Sequence, residues 1–75
     1  MSLDKFVQLF AEQFDDTPED SFTPATEFKD LDEYNSLVTL SIIAMVDEEY
    51  GKRITGADLN ASKTIEDLYN LIQTK

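Results

Sequence analysis

The sequence predicts an all-α fold, a four-helix bundle with three main helices, one short helix and a long first loop. Apolar residues recur at spacings of three and four along three segments, as they do on one face of a helix. No segment shows the sustained alternation of polar and apolar residues that is typical of a strand. A chain of 75 residues has room for one small domain, which we expect to span residues 1–75.

The first helix is predicted from a stripe of apolar side chains near the start of the chain. Ser2 precedes the stripe and is a suitable N-cap, while Asp4 and Glu12 fall on the opposite side. The stripe consists of Leu3, Phe6, Val7, Phe10 and Phe14.

The first loop covers residues 16–35, where Pro18 and Pro24 interrupt the helical pattern. Connections of this length are uncommon in compact domains and are usually functional or disordered. Phe22, Phe28 and Leu31 are apolar enough to hold the loop against a core. We therefore expect an ordered, wrapping loop with one short helical turn.

The central helix is predicted over residues 36–50, with Ser36 as its N-cap and Gly51 as its stop. Its apolar residues fall on two opposite faces of the helical wheel. One face is a natural core face, and the other is edged by Ser41, Asp47 and Glu48. The core face carries Ile42, Ile43, Val46 and Tyr50, and the opposite face carries Leu37, Leu40 and Ala44. The helix is therefore either buried on most sides, or it leaves the second face exposed for docking.

Two shorter segments complete the bundle. Thr55 caps a very short helix that ends near Asn60, and Thr64 opens the last helix with Asp67 in the capping-box position. The last helix has one apolar face, flanked by Leu71. That face consists of Ile65, Leu68, Tyr69 and Ile72.

The composition excludes several classes of function. Sixteen acidic residues against six basic ones give a net charge of -10, which argues against nucleic acid and anionic membranes as partners. Without Cys or His, the chain has no thiol nucleophile and lacks the commonest general base and metal ligand. We expect a cytoplasmic monomer with no catalytic residues and no metal site.

Ser36 is the one residue for which a special role can be argued. Its ordinary role is that of an N-cap, which alone would explain a serine at this position. A phosphate ester on this side chain, however, would lie at the positive end of a helix, beside free backbone N–H groups. The acidic residues around it, such as Asp30 and Asp32, do not form a calcium loop, because Asn35 and Ser41 replace the required Gly and Glu.

An ordered set of motifs resembles the acyl carrier proteins along essentially the whole chain. The set begins with Phe28-Lys29-Asp30-Leu31 and Asn35-Ser36-Leu37 and continues with Asp47-Glu48-Glu49-Tyr50-Gly51, Ile54 and Thr64-Ile65. The resemblance implies an acyl-carrier-protein-like bundle in which Ser36 carries 4′-phosphopantetheine. A phosphopantetheinyl transferase would install the group from coenzyme A, and the terminal thiol of the arm would hold acyl groups as thioesters.

The resemblance further implies that the chain is not an enzyme. It would deliver its cargo to acyl-transferring or synthase enzymes of fatty-acid, lipid or specialised biosynthesis, and basic patches on these partners would dock to the acidic second helix. The docking residues implied by the match are Asp32, Glu33, Asn35, Leu37, Leu40, Ser41, Ala44, Asp47, Glu48 and Ile54. The alternative is an acidic helical interaction module that is never modified.

Two departures from the family pattern, and one further feature of the chain, concern charge. Asn35 stands where the family usually has Asp, which removes a charge that transferases commonly engage. Val38 and Ser41 stand where fatty-acid carriers often have acids, and Lys52 and Arg53 add positive charge after the helix. Because charge strongly affects association rates, we expect weak binding to the usual fatty-acid partners, which favours a specialised pathway, with a housekeeping role as the alternative.

Overall fold

The computed structural model describes residues 2–75, and its regular elements are helical throughout, as the sequence predicts. Four α-helices follow one another as α1 (Leu3–Ala11), α2 (Ser36–Tyr50), α3 (Gly56–Ala61) and α4 (Ile65–Gln73). They pack into a body of 29 × 24 × 21 Å. No helix in the described part of the chain is long and apolar enough to cross a membrane.

Three helices begin at the caps that the sequence predicts. The hydroxyl of Ser2 accepts a hydrogen bond from the first turn of α1. Thr55 and Asp58 form a reciprocal capping box at α3, in which the Thr55 N–H donates to the Asp58 carboxylate at 2.9 Å. Thr64 and Asp67 do the same at α4, at 3.1 Å. These local bonds satisfy N–H groups that a helix start leaves without partners.

The cap of α2 differs from the prediction. Asn35, and not Ser36, is the N-cap: its Oδ1 accepts from the Val38 N–H at 2.9 Å. Asn caps helices about as well as Ser, so residue type alone could not separate the two neighbours. Ser36 is consequently the first residue of the helix. At the other end, Gly51 ends the helix in the left-handed region with φ of 64°, as predicted.

The first loop is ordered by aromatic packing. Phe22 and Phe28 are buried, and their rings lie 6.3 and 5.2 Å from that of Phe10 in α1. The loop contains two short 3₁₀ turns, Glu19–Ser21 and Phe28–Asp30, where the sequence predicted one. Buried aromatic contacts of this kind compensate for the entropy of ordering a long connection.

Backbone hydrogen bonds also attach the first loop to α4. The N–H of Ile65 donates to the carbonyl of Thr26 at 3.1 Å, and that of Glu66 donates to the carbonyl of Pro24 at 3.0 Å. These two bonds fix the middle of the first loop to the first turn of α4.

The core is one continuous cluster to which every α-helix contributes. Ile42 and Val46 of α2 are fully buried, as predicted, whereas Ile43 and Tyr50 lie at the edge of the cluster. The buried apolar residues are Phe6, Leu9, Phe10, Ala11, Phe14, Phe22, Phe28, Val38, Ile42, Met45, Val46, Ile54, Leu59, Ile65, Leu68 and Ile72.

Candidate functional site

Ser36 is exposed at the amino end of the longest helix. Its Oγ makes no hydrogen bond with any residue in the range 2–75. Asn35 satisfies the N–H of Val38 through its side chain and that of Thr39 through its carbonyl, at 2.9 Å each. The N–H groups of Ser36 and Leu37 have no acceptor within the helix, so they remain available to an anion beside the serine.

An open groove of about 580 Å³ adjoins the serine, and we call it the Ser36 groove. It lies between the end of the first loop, α2 and α3, so these three elements leave space on one side of the hydroxyl. Its lining combines polar groups, such as Thr39 and Asn60, with the apolar Leu40 and Ile43. The remaining lining residues are Tyr34, Asn35, Ser36 and Gly56.

A strip of apolar side chains runs along the outer face of α2, and we call it the α2 strip: Leu37, Leu40 and Ala44. Leu37 is 73% exposed and Leu40 is 63% exposed, which makes them the large apolar side chains that the described structure leaves in water. Ala44 is exposed as well. Of the two interpretations of the central helix, the exposed second face is therefore the one confirmed.

α3 forms one wall of the Ser36 groove and is held by two lysines. Lys29 of the first loop donates to the carbonyl of Asn60 at 2.6 Å, and Lys75 pairs with Asp58 at 3.2 Å. The backbone N–H of Thr55, followed by Lys75, lowers the pKa of the Asp58 carboxyl from its ordinary value. Sequence reasoning missed both lysine contacts, because each joins residues far apart in the chain.

Comparison with known families decides what this arrangement is. A family profile described as the phosphopantetheine attachment site matches residues 4–72. The chain belongs to this family of carrier proteins. A domain of this family is the site at which 4′-phosphopantetheine is covalently attached, and such domains are carriers rather than catalysts. No curated protein and no solved structure gives a significant match.

The residues of this carrier domain fit the arm. The Ser36 hydroxyl has no hydrogen-bond partner among residues 2–75. Two available N–H groups lie beside it, and the Ser36 groove leaves room for an attached group. The chain contributes no Cys, so a thiol would have to come from the arm. No group of three or more His, Cys, Asp or Glu side chains in the described residues is arranged to hold a metal ion.

The carboxylates implied as docking residues differ in their surroundings. Asp47 and Glu48 are exposed beside the α2 strip, and Asp32 is exposed before the helix. Glu33, in contrast, accepts hydrogen bonds from the Thr17 hydroxyl at 2.7 Å and from two backbone N–H groups. These bonds, with that from Thr17 the most important, lower the pKa of the Glu33 carboxyl. Glu33 is therefore already engaged within the chain, and its role in docking stays a prediction.

Two other residues lie deeper than their family positions suggest. Ile54 is only 4% exposed and belongs to the core, so a partner could reach it only at the floor of a groove. Val38 is 8% exposed and packs with Ile42 and Met45, which makes it a core residue and not a surface position that has lost an acid. Asn35 is exposed and Ser41 is half-buried, so they lie where a partner could contact them.

Proposed function

We propose that Ser36 carries the 4′-phosphopantetheine arm and that the protein holds acyl or related cargo on it. The observation that carries this proposal is the exposed Ser36 Oγ, which has no hydrogen-bond partner among residues 2–75 and lies at the amino end of α2 beside an open groove. A negatively charged phosphodiester is favoured at this end of a helix by the dipole and by the free N–H groups.

The other serines are poorer candidates. The Ser2 hydroxyl caps α1, and Ser62 is 3% exposed with its hydroxyl bonded to the Asp58 carbonyl. Ser41 is half-buried in a groove that also contains three glutamates, and Ser21 follows two acidic residues in a 3₁₀ turn. Neither hydroxyl lies at the amino end of an α-helix, where free N–H groups would favour a phosphate.

The modification is a phosphoryl-type transfer in which Ser36 is the acceptor. A bond forms between Ser36 Oγ and the phosphorus next to pantetheine, and the bond to the second phosphate of coenzyme A breaks. Adenosine 3′,5′-bisphosphate leaves, and the hydroxyl proton passes to the transferase. The arm supplies the thiol that binds the cargo. The domain itself positions the arm, and tethering raises the local concentration of cargo at a partner's active site.

We propose that the partners are a phosphopantetheinyl transferase and acyl-transferring or synthase enzymes of fatty-acid, lipid or specialised biosynthesis. The exposed α2 strip, bordered by Asp47 and Glu48, supports docking to apolar surfaces with basic patches. We further propose that the chain acts as a single-domain monomer in the cytoplasm, where its lack of disulfides is no disadvantage.

Incubation with coenzyme A and a broad-specificity phosphopantetheinyl transferase tests the proposal. We expect the intact mass to increase by one phosphopantetheine and the cysteine-free chain to gain one maleimide-reactive thiol. Ser36→Ala should abolish both gains, whereas the matched control Ser21→Ala, at an exposed serine outside the docking residues, should keep them. Modification of the Ser36→Ala variant would overturn the assignment, and failure of the wild-type chain with several transferases would favour an unmodified interaction module.

A further inference from the structure

A second groove borders the α2 strip on the side of α3, and we call it the Arg53 groove. It has a volume of about 410 Å³ and lies between α2 and the segment that leads into α3. Its apolar lining comes from Leu40, Ile43 and Ala44, with the buried Ile54 below them. The other lining residues are Asp47, Arg53 and Thr55. The groove is therefore an apolar depression with one acidic and one basic side chain in its lining.

Arg53 is exposed and has no internal partner. It forms no hydrogen bond or ion pair with a residue in the described part of the chain, and this includes Asp47 in the same groove. Lys29, Lys52 and Lys75 differ in this respect, because each bonds to a carbonyl or a carboxylate of the chain. The charge of Arg53 is therefore free to meet a group from outside.

The opposite side of the α2 strip has a different charge. A third groove, between α1 and α2, is lined by Glu12, Glu48 and Glu49, and none of its lining residues is basic. The Ser36 groove has no basic lining residue either. Among the residues that line these three grooves, Arg53 is the only cation. A partner with a uniformly basic surface would thus be attracted on the α1 side, whereas in the Arg53 groove the attraction by Asp47 is opposed by Arg53.

We propose that the Arg53 groove receives an apolar side chain of a partner protein that places a carboxylate against Arg53. This proposal rests on the proposed role of the α2 strip in docking. The apolar lining accommodates the side chain, and the charge of Arg53 selects for the carboxylate beside it. The groove on the α1 side has three carboxylates in its lining, whereas the Arg53 groove pairs one carboxylate with one guanidinium, and this difference favours one orientation of the partner on the strip.

Two synthetic helical peptides test this pairing. They are identical except that one has Glu and the other Lys one turn from a central Leu, and both are titrated against the ¹⁵N-labelled protein at physiological salt. Binding is followed by the amide shifts of Leu40, Ile43 and Thr55. We expect the Glu peptide to bind about fivefold more tightly at this groove, because Arg53 attracts the Glu carboxylate and repels the Lys ammonium group.

The variant Arg53→Gln should lose the preference for the Glu peptide, because Asp47 is then the one charged side chain in the lining, and the matched control Lys63→Gln, which changes an exposed lysine outside these grooves, should keep the preference. Equal or tighter binding of the Lys peptide at the groove would overturn the proposal, as would a preference that survives in Arg53→Gln. The titration is repeated on Ser36→Ala. Peptide binding does not require a modified serine, so a negative titration would contradict the Arg53 proposal without contradicting the assignment of Ser36 as the attachment site.

Discussion

The carboxylate of Glu33 accepts a hydrogen bond from the hydroxyl of Thr17 at 2.7 Å, across 16 positions of sequence. The backbone N–H groups of Asp15 and Asp16 donate to the same carboxylate, at 2.8 and 3.1 Å. One side chain thus joins the start of the first loop to its end, three residues before Ser36. An acid that the family resemblance assigns to docking therefore also shapes the approach to the serine.

We predict that Glu33→Gln lowers the melting temperature by a few degrees at neutral pH, since an amide cannot accept these bonds as strongly. The pKa of Glu33 is lowered in the folded protein, chiefly by the Thr17 hydroxyl, so its stabilisation is present above the ordinary value of 4.5. It is lost as the pH falls through the folded value. The difference in melting temperature between wild type and variant should therefore shrink as the pH falls below 4.5.

Glu27→Gln is the control for Glu33→Gln, because Glu27 is exposed, its side chain caps no helix, and its substitution changes the net charge equally. It should leave the melting temperature nearly unchanged across the same range of pH. A similar loss of stability in both variants would show that net charge, and not the contact with Thr17, is responsible.

The sequence predicts the helices of this protein better than it predicts the contacts between them. Apolar spacing and local caps suffice for α1, α3 and α4, because the responsible bonds join residues a few positions apart. The contact of Glu33 with Thr17 and that of Lys29 with Asn60 span 16 and 31 positions, and no local pattern predicts them.

Within the candidate site, the helical wheel places Leu37 and Leu40 opposite the core face but leaves burial and exposure open, and the structure shows that both are exposed. The burial of Val38 could have been predicted too, since Val38, Ile42 and Met45 are spaced by four and three. The family position of Val38 indicates the surface, whereas this spacing indicates the core, and the spacing is correct. Residue type could not decide between Asn35 and Ser36 as the N-cap, because both types cap well. The backbone conformation decides it, since Asn35 is extended and Ser36 is already helical.

The corrected cap leads to a second prediction. Asn35→Ala should lower the free energy of unfolding by about 1 kcal/mol, because it removes the acceptor for the Val38 N–H. Ser36→Ala should change it by less than about 0.5 kcal/mol, since the Ser36 hydroxyl has no partner among residues 2–75. Urea denaturation measures both values. The reverse order of effects would restore Ser36 as the cap.

Asn35→Asp is expected to keep the cap and to add a negative charge at the positive end of α2. Its stability should equal or slightly exceed that of the wild type, and a broad-specificity transferase should modify Ser36 faster. The initial rate of mass gain measures this. An unchanged rate would mean that the residue before the serine does not limit recognition by the transferase.

Tyr50 provides a further prediction, because its hydroxyl is buried without a hydrogen-bond partner in residues 2–75. Tyr50→Phe removes this hydroxyl while keeping the ring contact with Phe6 at 5.9 Å. We expect the free energy of unfolding to stay the same or to rise by about 1 kcal/mol. A clear loss of stability in urea denaturation would mean that the hydroxyl is satisfied after all.

Tyr50→Phe should also change how the stability of the protein depends on pH in the alkaline range. Burial, followed by the charges of Tyr69 and Glu49, raises the pKa of Tyr50 above its ordinary value of 10.0. The unfolded chain therefore loses this proton first, and the wild type should lose stability as the pH rises above 10.0. Tyr50→Phe should lose less over the same range. Melting temperatures at increasing pH, measured for both proteins, test this difference.

The last prediction concerns docking along the α2 strip. Replacing Asp47 and Glu48 by Lys should slow modification of Ser36 by a transferase about tenfold at low salt, because both carboxylates are exposed and free to attract a basic surface. The difference in modification rate from the wild type should narrow as salt screens the charges.

The control with the same change in charge replaces Glu19 and Asp20, an adjacent acidic pair outside the strip, by Lys. Equal slowing in both double variants would assign the effect to net charge, whereas slowing confined to Asp47 and Glu48, with unchanged helical content by circular dichroism, would locate docking on α2.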